Sequence, residues 1–215
     1  MNKPFFSVIV PEHNSAEWMR TGLDSIRAQT FKDYQLIIVC DRCADNTAEI
    51  AEEYLKVGDT MLEIDNGCCA AARNAGMDFA TGKWILFMDD DDWFNTDKAF
   101  ELIAAEIAKY EKQEQTIDIL AFGFYWDGIG YRMNSQERLY TAVWNKCWRR
   151  EFIERIGARF PMWKHSDDEG FSRLTHKKAH IRYLDANLYY YNFMREGSLT
   201  WQIENGLIDG HIPEE

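Results

Sequence analysis

The amino-acid sequence predicts an α/β fold in which a mainly parallel central sheet is flanked by helices. Two observations lead to this prediction. Short apolar runs rich in β-branched and aromatic residues alternate with segments of helical periodicity in the first half of the chain. One such run, at residues 84–88, is followed directly by four aspartates, Asp89 to Asp92. Strand–helix units at this spacing form parallel sheets with right-handed crossovers, so a nucleotide-type topology is expected.

Each element of the first half follows from a local pattern. The runs FFSVIVP and YQLIIVC indicate buried strands, and the segment between them has apolar residues close to helical spacing. Asp45, Asn46 and Thr47 offer N-caps to the second helix, and Gly82 ends the third. The predicted order is strand 5–11, helix 16–29, strand 34–40, helix 48–57, strand 60–64, helix 68–80 and strand 83–88.

The second half predicts an α+β arrangement. Asn95, Thr96 and Asp97 can cap its first helix. Because no linker, repeat or low-complexity tract interrupts the sequence, residues 1–215 are expected to form one domain. The predicted order is helix 98–111, strand 116–126, helices 150–157 and 167–176, and strands 181–184 and 188–193.

Composition narrows the class of partner. A net charge of −12 argues against a nucleic acid or an anionic membrane as the main partner. The sequence has no apolar window long enough for a membrane span and no signal-peptide pattern. We therefore expect a cytoplasmic protein with reduced thiols that are small core residues. A zinc site at Cys40, Cys43, Cys68 and Cys69 is a weaker alternative, since adjacent cysteines are poor zinc spacing.

The aspartates after the apolar run at 84–88 indicate a metal site. Carboxylates a few ångströms apart repel and raise one another's pKa, and a divalent cation removes this cost. Carboxylate oxygens are the ligands that Mg²⁺ and Mn²⁺ prefer, and ligands bind at the carboxyl ends of strands in open α/β sheets. A solvated acidic turn is the alternative, but the position after a buried strand favours the metal.

Polar side chains of two further loops are expected at the same sheet edge. His13, which follows the first strand, is suited to stack on a nucleotide base, although a plain loop residue is the alternative. Asp41 is suited to accept a hydrogen bond from a base N–H, and its alternative role as a helix N-cap fits Asp45 better. A dinucleotide fingerprint is absent, because no G-x-G-x-x-G follows the first strand.

Two downstream segments also carry candidate chemistry. Arg73, beside Asn74 on a predicted helix, is suited to pair with a phosphate, and a surface ion pair is the alternative. The acidic cluster at 165–169 contains Asp167 and Asp168. A carboxylate opposite a metal-bound substrate is what general-base chemistry on an alcohol needs, although helix N-termini also attract acids.

Short motifs follow one another along nearly the whole chain. The motifs of the first half are Ser7-Val-Ile-Val-Pro-x-x-Asn14, Asp24-Ser-Ile-x-x-Gln29-Thr-Phe31, Asp41-x-x-x-Asp45-Asn-Thr47, Ala72-Arg-Asn-x-Gly76, Ala80-x-Gly82 and Asp89-x-Asp91-Asp92. Those of the second half are Val143-Trp-Asn-Lys146, Phe160-Pro161, Asp168-x-x-Phe171, Tyr189-x-Tyr191 and Ser198-Leu-Thr200. Taken in order, these motifs resemble those of family 2 glycosyltransferases, which are nucleotide-sugar-dependent enzymes of the GT-A fold, and the set is specific in its order and spacing.

The resemblance implies roles for individual residues. Residues of about 1–95 would bind the nucleotide sugar, and those of about 96–215 would bind the acceptor. Asp91 would be the direct ligand of Mn²⁺ or Mg²⁺, with Asp89 beside it, and Asp168 would be the general base. The donor would be held by Pro11, His13, Asn14, Asp41, Arg73, Asn74, Asp89 and Asp90.

The implied reaction is inverting transfer of a sugar, from a UDP-sugar as the commonest donor of the family, to a saccharide or glycoconjugate. Polysaccharide assembly is the family-level expectation, and the oligomeric state is left open. Arg42 and Cys43 replace the small residues usual beside Asp41, and His13 stands where a tyrosine is common. A non-catalytic nucleotide-sugar-binding module and a sugar-phosphate nucleotidyltransferase are the alternatives.

Overall fold

The computed structural model describes residues 3–163, 165–193 and 195–208. Its first half alternates strand and helix as predicted. Three strands of this half are buried on both faces, which explains their apolar sequences, whereas the strand at residues 60–64 lies at the sheet edge and is partly exposed. The elements are β1 (Phe6–Glu12), α1 (Met19–Ala28), β2 (Tyr34–Asp41), α2 (Thr47–Tyr54), β3 (Thr60–Ile64), α3 (Cys69–Phe79) and β4 (Trp84–Phe87). These four strands pair in parallel, in the order β3-β2-β1-β4.

The second half extends the same sheet with antiparallel and parallel pairs. Its elements are β5 (Trp93–Phe94), α4 (Ala99–Lys112), β6 (Ile119–Trp126), β7 (Gly130–Arg132), β8 (Lys146–Arg149), α5 (Arg150–Ile156), α6 (Asp167–His176), β9 (Ile181–Tyr191) and α7 (Leu199–Glu204). The full order is β3-β2-β1-β4-β8-β6-β9-β5, with β7 on β6. β8 is antiparallel to β4 and β6, whereas β6 and β9 are parallel. The α/β fold class is confirmed, with a mixed sheet.

Several short elements of the second half were not predicted. β5, β7, β8 and α7 are two to six residues long, too short to show a period in the sequence. The predicted strands at 181–184 and 188–193 form one strand, β9. Its pairing with β6 shifts register on both sides of Gly123, so that Asp185 and Ala186 have no paired residue. A bulge of this kind interrupts the alternation on which a sequence-based strand boundary rests.

Two helical layers cover the sheet. α1, α2 and α4 pack on one face, where Leu23, Ile50 and Phe100 are buried with Val8 and other strand residues. α3, α5 and α6 pack on the opposite face, where their apolar residues surround the side chains of Ile9, Phe87 and Trp148. The carboxyl ends of β1, β2 and β4 stay open between the layers, as they do in other open α/β sheets.

One glycine sets the start of β4. A Cβ atom on Gly82 would lie 2.5 Å from backbone atoms of Phe6 and Ser7, so only glycine allows this turn to lie against β1. The Ser7 hydroxyl accepts a hydrogen bond from the Gly82 N–H at 2.9 Å. This contact holds β4 beside β1 and therefore sets the position of the aspartates that follow β4.

The longest helix described, α4, has 14 residues. In the stretches 3–163, 165–193 and 195–208, no helix combines the length and the apolar character that crossing a bilayer requires. A single sheet contains strands of both halves of the chain. The division of function near residue 95 stays a prediction.

Candidate active site

A cavity of about 770 Å³ lies at the carboxyl ends of β1, β2 and β4. Its other side is formed by β6, by the start of α6 and by the segment around α7. It therefore combines polar loops of the first half with aromatic residues of the second. The predicted site residues that line it are Pro11, His13, Asp41, Arg73, Asp89, Asp90, Asp91 and Asp168.

Two predicted donor-binding residues are not among those that line the cavity. The Asn14 amide oxygen accepts from the Ala44 N–H at 2.7 Å. The Asn74 side chain forms two hydrogen bonds of 2.9 Å with the backbone of Phe160, one as donor and one as acceptor. An amide carries both a donor and an acceptor, so it suits this bridging of backbone groups. Both asparagines hold loops in place, and the prediction that they contact the donor has no support from their positions.

Arg73 joins the two acidic segments of the site. Its guanidinium donates to Asp89 at 2.6 Å and to Asp167 at 2.7 Å, and Arg73 is only 5% exposed. The guanidinium also lies over the ring of Phe160. Neither alternative considered from the sequence describes this arrangement, because Arg73 forms a buried bridge between residues 94 positions apart. A distant partner of this kind leaves no local signal.

Asp41 anchors the loop before α3. Its carboxylate accepts from the backbone N–H groups of Asn66, Gly67 and Cys68 at 2.8–2.9 Å. Burial opposes ionisation here, but these three hydrogen bonds hold the pKa of Asp41 below its usual value. A carboxylate has about four acceptor positions, so about one is left for a nucleotide base.

His13 lies beside Asp41 at the cavity edge. Its Nδ1 is 2.6 Å from the carbonyl oxygen of Asp41, which makes Nδ1 the donor, and the Asn14 amide nitrogen lies 3.2 Å from Nε2. The side chain is exposed and borders the cavity together with Pro11. This position is compatible with the predicted stacking on a base, which stays a prediction.

The aspartates after β4 have different partners. Asp89 is paired with Arg73, and Asp91 accepts from Arg195 Nε at 2.7 Å. Asp92 is fully buried and accepts from the Tyr189 hydroxyl at 2.8 Å and from the Asn192 N–H at 2.9 Å. Asp92 therefore ties this turn to the end of β9 and holds its neighbours at the cavity.

Arg195 was not identified from the sequence. Its guanidinium lies 4.0 Å from the centre of the Trp18 ring and pairs with Asp91 across the cavity edge. A single arginine near the C-terminus carries no motif that would distinguish it from a surface residue. Its position shows that positive charge is already directed at the aspartate predicted to bind the metal.

The acidic turn has the chemistry of a cation site. Burial raises the pKa of Asp90 to about 8, and the charge of Asp91 adds to this effect. Burial also raises the pKa of Asp91, against the charge of Arg195. Across the described parts of the chain, no three His, Cys, Asp or Glu side chains form a ready-made metal site. Mg²⁺ is commonly bound by one or two carboxylates together with substrate phosphates, so these residues fit a cation that arrives with a phosphorylated ligand.

Asp168 also lines the cavity, in the first turn of α6. Burial raises its pKa to about 6, the charge of Arg73 opposes this, and the charges of Asp167 and Asp89 add to it. Burial is the largest of these causes. Asp167 is the acid of the pair that binds Arg73.

The remaining walls include Glu12 and a group of aromatic side chains. Glu12, at the end of β1, is 1% exposed and accepts from the Ser15 hydroxyl. Aromatic side chains form much of the opposite wall, in keeping with the aromatic-rich second half. These aromatic residues are Phe124, Trp126, Tyr140, Trp144, Tyr191 and Phe193.

The cysteines are not arranged for zinc. Cys40 and Cys147 are buried, as expected for small core residues, whereas Cys69 is exposed and lines the cavity with Cys68. All five thiols are free, and no metal-binding group that includes them occurs among the residues described. The weaker zinc alternative therefore finds no support here.

The sequence is similar to those of known glycosyltransferases. The model of Glycosyl transferase family 2 matches residues 7–184. EpsH of Bacillus subtilis (strain 168), which carries the name of a glycosyltransferase, is 31% identical over 213 residues, covering 89% of this chain and 61% of EpsH. The chain therefore belongs to glycosyl transferase family 2.

Solved structures give the same family of folds. The crystal structure of Staphylococcus aureus TarS in complex with UDP has a TM-score of 0.77 at 25% identity, covering 86% of this chain and 60% of that chain. The mannosyltransferase PcManGT from Pyrobaculum calidifontis, in complex with GDP-Man and Mn²⁺, has a TM-score of 0.70 at 16% identity. The match covers 99% of this chain and 67% of that chain. The chain spans about 60% of the length of EpsH and of this TarS structure.

We predict that Arg73→Met lowers the free energy of unfolding by about 3 kcal/mol, because it leaves the buried carboxylate of Asp167 and the partly exposed carboxylate of Asp89 without their partner. Chemical denaturation monitored by tryptophan fluorescence measures the change. Arg159→Met is the matched control, since Arg159 forms an exposed pair with Asp78 and its loss is expected to cost less than about 1 kcal/mol. Equal decreases in the free energy of unfolding of the two variants would show that the ion pairs of Arg73 stabilise the protein no more than an exposed ion pair does.

Proposed function

We propose that the protein is an inverting glycosyltransferase that moves a sugar from a nucleotide-diphosphate donor to a hydroxyl group of a saccharide or glycoconjugate. The observation that carries the proposal is that Asp168 and the aspartates at the end of β4 line one cavity. Membership of glycosyl transferase family 2 supports it. So does the likeness to TarS, which has been solved with UDP and, at 26% identity over 91% of this chain, with UDP-GlcNAc.

The donor is proposed to lie along the first-half edge of the cavity. The base would contact Pro11, His13 and Asp41, and the ribose or diphosphate would lie near Asp90. A UDP-sugar is the donor we favour because of the TarS complexes. Arg73 has no role in binding phosphate in this proposal, since both ends of its guanidinium are bound to carboxylates.

Mn²⁺ or Mg²⁺ is the cofactor we propose, with Asp91 as direct ligand and Asp89 beside it. When bound, the ion supplies positive charge that favours departure of the diphosphate. Each of these carboxylates also pairs with an arginine, Asp91 with Arg195 and Asp89 with Arg73. The arginines limit repulsion within the turn before a cation and donor arrive.

In the proposed reaction the acceptor hydroxyl forms a bond to the anomeric carbon of the donor. Asp168 takes the hydroxyl proton, and the bond from the anomeric carbon to the diphosphate oxygen breaks, its electron pair leaving with the nucleoside diphosphate. The raised pKa of about 6 suits Asp168 to this role, because it is ionised at neutral pH yet remains a useful base. Asp167 and Arg73 hold the start of α6 and so orient the base.

The two alternatives each lack a supporting feature. For a binding module, Arg42 would have to block the base pocket, but its guanidinium pairs with Asp65 at the exposed side of the loop. For a nucleotidyltransferase, the residues after β1 would form a glycine- and lysine-rich phosphate loop, and Pro11–Ser15 contains neither residue. A cytoplasmic location and a role in polysaccharide assembly stay predictions.

We predict that one nucleoside diphosphate raises the melting temperature by on the order of 5 °C at saturation, and only with Mn²⁺ present, because a ligand stabilises the state that binds it. UDP, GDP, CDP and dTDP are titrated with and without the ion by thermal shift. Asp91→Asn should remove the ion-dependent shift. Asp185→Asn, which removes an exposed charge on β9, should retain it.

If no nucleotide shifts the melting temperature of the folded protein, the donor proposal fails and the binding-site assignment falls with it. A shift of equal size without the ion would instead remove the metal from the proposal. In that case Arg195 would be the residue of the cavity placed to neutralise the diphosphate.

Asp168→Asn is expected to lower the rate of sugar transfer about 100-fold or more, because the amide cannot accept the proton. Donor binding, measured by the same thermal shift, should change little, since Asp168 lies on the acceptor side of the cavity. The rate of transfer is measured as the rate at which the nucleoside diphosphate is released in the presence of a simple glycoside. Retained turnover would remove Asp168 from the role of base.

The pH dependence of transfer should report the ionisation of the same carboxyl group. With a pKa of about 6, Asp168 is protonated and inactive at lower pH, so the rate should fall about tenfold per unit below pH 6 and level off above it. Initial rates from pH 4.5 to 8 at saturating donor test this. A rate that is constant down to pH 5 would contradict the assignment.

A further inference from the structure

The motif Val143-Trp-Asn-Lys146 contains a buried lysine to which the proposed reaction assigns no role. Lys146 begins β8 and is 0% exposed. Its ammonium donates to the carbonyl oxygens of Tyr140 at 2.6 Å and Ala142 at 2.5 Å, and to the Asn145 amide oxygen at 2.7 Å. A neutral amine has only two N–H groups, so this arrangement requires the charged form.

The residues that Lys146 holds form part of the cavity wall. Tyr140, Thr141 and Ala142, which we call the acceptor wall, border the cavity on the side of Asp168. The carbonyl between the two bound by Lys146, that of Thr141, accepts from the Ser172 hydroxyl. Three consecutive carbonyl groups of a loop are therefore each bound by a buried side chain.

The supports of the acceptor wall belong to rigid parts of the fold. β8 pairs with β4 and β6 in the middle of the sheet, and Lys146 itself pairs with Ala121. Ser172 lies on α6, the helix that begins with Asp167 and Asp168. The Asn134 side chain adds a third support, because it accepts from the Tyr140 N–H at 2.9 Å and donates to the Phe122 carbonyl. The wall and the proposed base are thus held by the same framework.

If this position required only packing, a lysine would be unfavourable there because its charge must be desolvated. Burial lowers the pKa of Lys146 to about 7, which shows the cost of keeping the charge, and only the charge of Asp168 opposes the shift. Methionine or leucine would fill a similar volume without desolvating a charge. What the ammonium adds is three directed hydrogen bonds to one loop.

We propose that Lys146 is a positioning residue that holds the acceptor wall in the shape required to bind the acceptor next to Asp168. The assignment rests on the proposed function for the identity of what the wall contacts. Tyr140 lines the cavity, its ring packs edge-on against Phe124 at 5.0 Å, and the Arg138 guanidinium lies 4.7 Å from the ring centre. The part of the ring that borders the cavity is therefore what an acceptor would contact. We call the hydrogen bonds from Lys146 and Ser172 to the carbonyl groups of the acceptor wall the clamp. Loss of the clamp should weaken acceptor binding and leave donor binding unchanged.

The test compares Lys146→Met and Ser172→Ala with Thr175→Val as the matched control. Thr175 is a buried hydroxyl one turn further along α6, and it bonds only to carbonyls of its own helix. Amide hydrogen exchange is measured in the intact protein at pH 6.5, where the ammonium is retained. Both clamp variants should speed exchange across residues 137–146 about tenfold or more, as expected for loss of a hydrogen bond, and the control should not.

A second measurement distinguishes a local effect on the acceptor wall from an increase in flexibility of the whole protein. In both clamp variants the acceptor KM should rise about tenfold or more, with methyl glycosides of glucose and N-acetylglucosamine as probes. The KM of the donor nucleotide sugar and the thermal shift with its nucleotide should stay within about twofold of wild type. If Lys146→Met does not fold, Ser172→Ala decides by the same criteria.

Exchange at 137–146 that matches wild type in the clamp variants would overturn the proposal, as would equal acceleration in Thr175→Val. An equal rise of donor and acceptor KM would also overturn it, because the effect would then not be confined to the wall. If the wild-type protein transfers no sugar, the proposed function has failed, and the exchange comparison alone still decides whether Lys146 holds the wall.

Discussion

The architecture of the site depends on one buried ion-paired bridge, in which Arg73 binds Asp89 and Asp167. Asp89 begins the acidic turn after β4, and Asp167 begins α6. A buried guanidinium without both partners would be costly, and so would either carboxylate without the guanidinium. The bridge therefore fixes the distance between the proposed donor side and the proposed base, and it decides which acid of the 167–168 pair remains available to the substrate.

Some carboxyl groups of the cavity are paired with arginines and others are not, and this difference suits a phosphorylated ligand. Arginine neutralises Asp89, Asp91 and Asp167, whereas burial leaves Asp90 and Asp168 with raised pKa values of about 8 and 6. The cation that Asp91 and Asp89 are proposed to bind would also favour ionisation of Asp90, which lies beside the proposed diphosphate site. An unneutralised carboxyl group beside the acceptor wall favours uptake of a proton. The same low-dielectric cavity thus supports two different roles for two aspartates.

The acceptor side is built differently from the donor side. Loops at the donor edge follow directly from strands of the parallel sheet, so their positions are set by the sheet. The acceptor wall is a segment without regular structure, and side chains of Lys146, Ser172 and Asn134 hold its backbone. Backbone strain also concentrates around the cavity: Asn14, Arg42 and Ser166 adopt positive φ angles in loops next to it.

The sequence by itself determined the alternation of strands and helices in the first half, the fold class and eight of the polar and loop residues that meet at the cavity. Apolar runs buried on both faces and polar residues directly after them are local patterns, and a parallel sheet brings such residues to one edge. Tertiary structure alone decided the pairing of Arg73 with Asp167, the contact of Arg195 with Asp91 and the clamp at Lys146. It also showed that Asn14 and Asn74 support loops. Hydrogen bonds and ion pairs between residues far apart in the chain depend on tertiary packing. Such packing leaves no periodic pattern in the sequence.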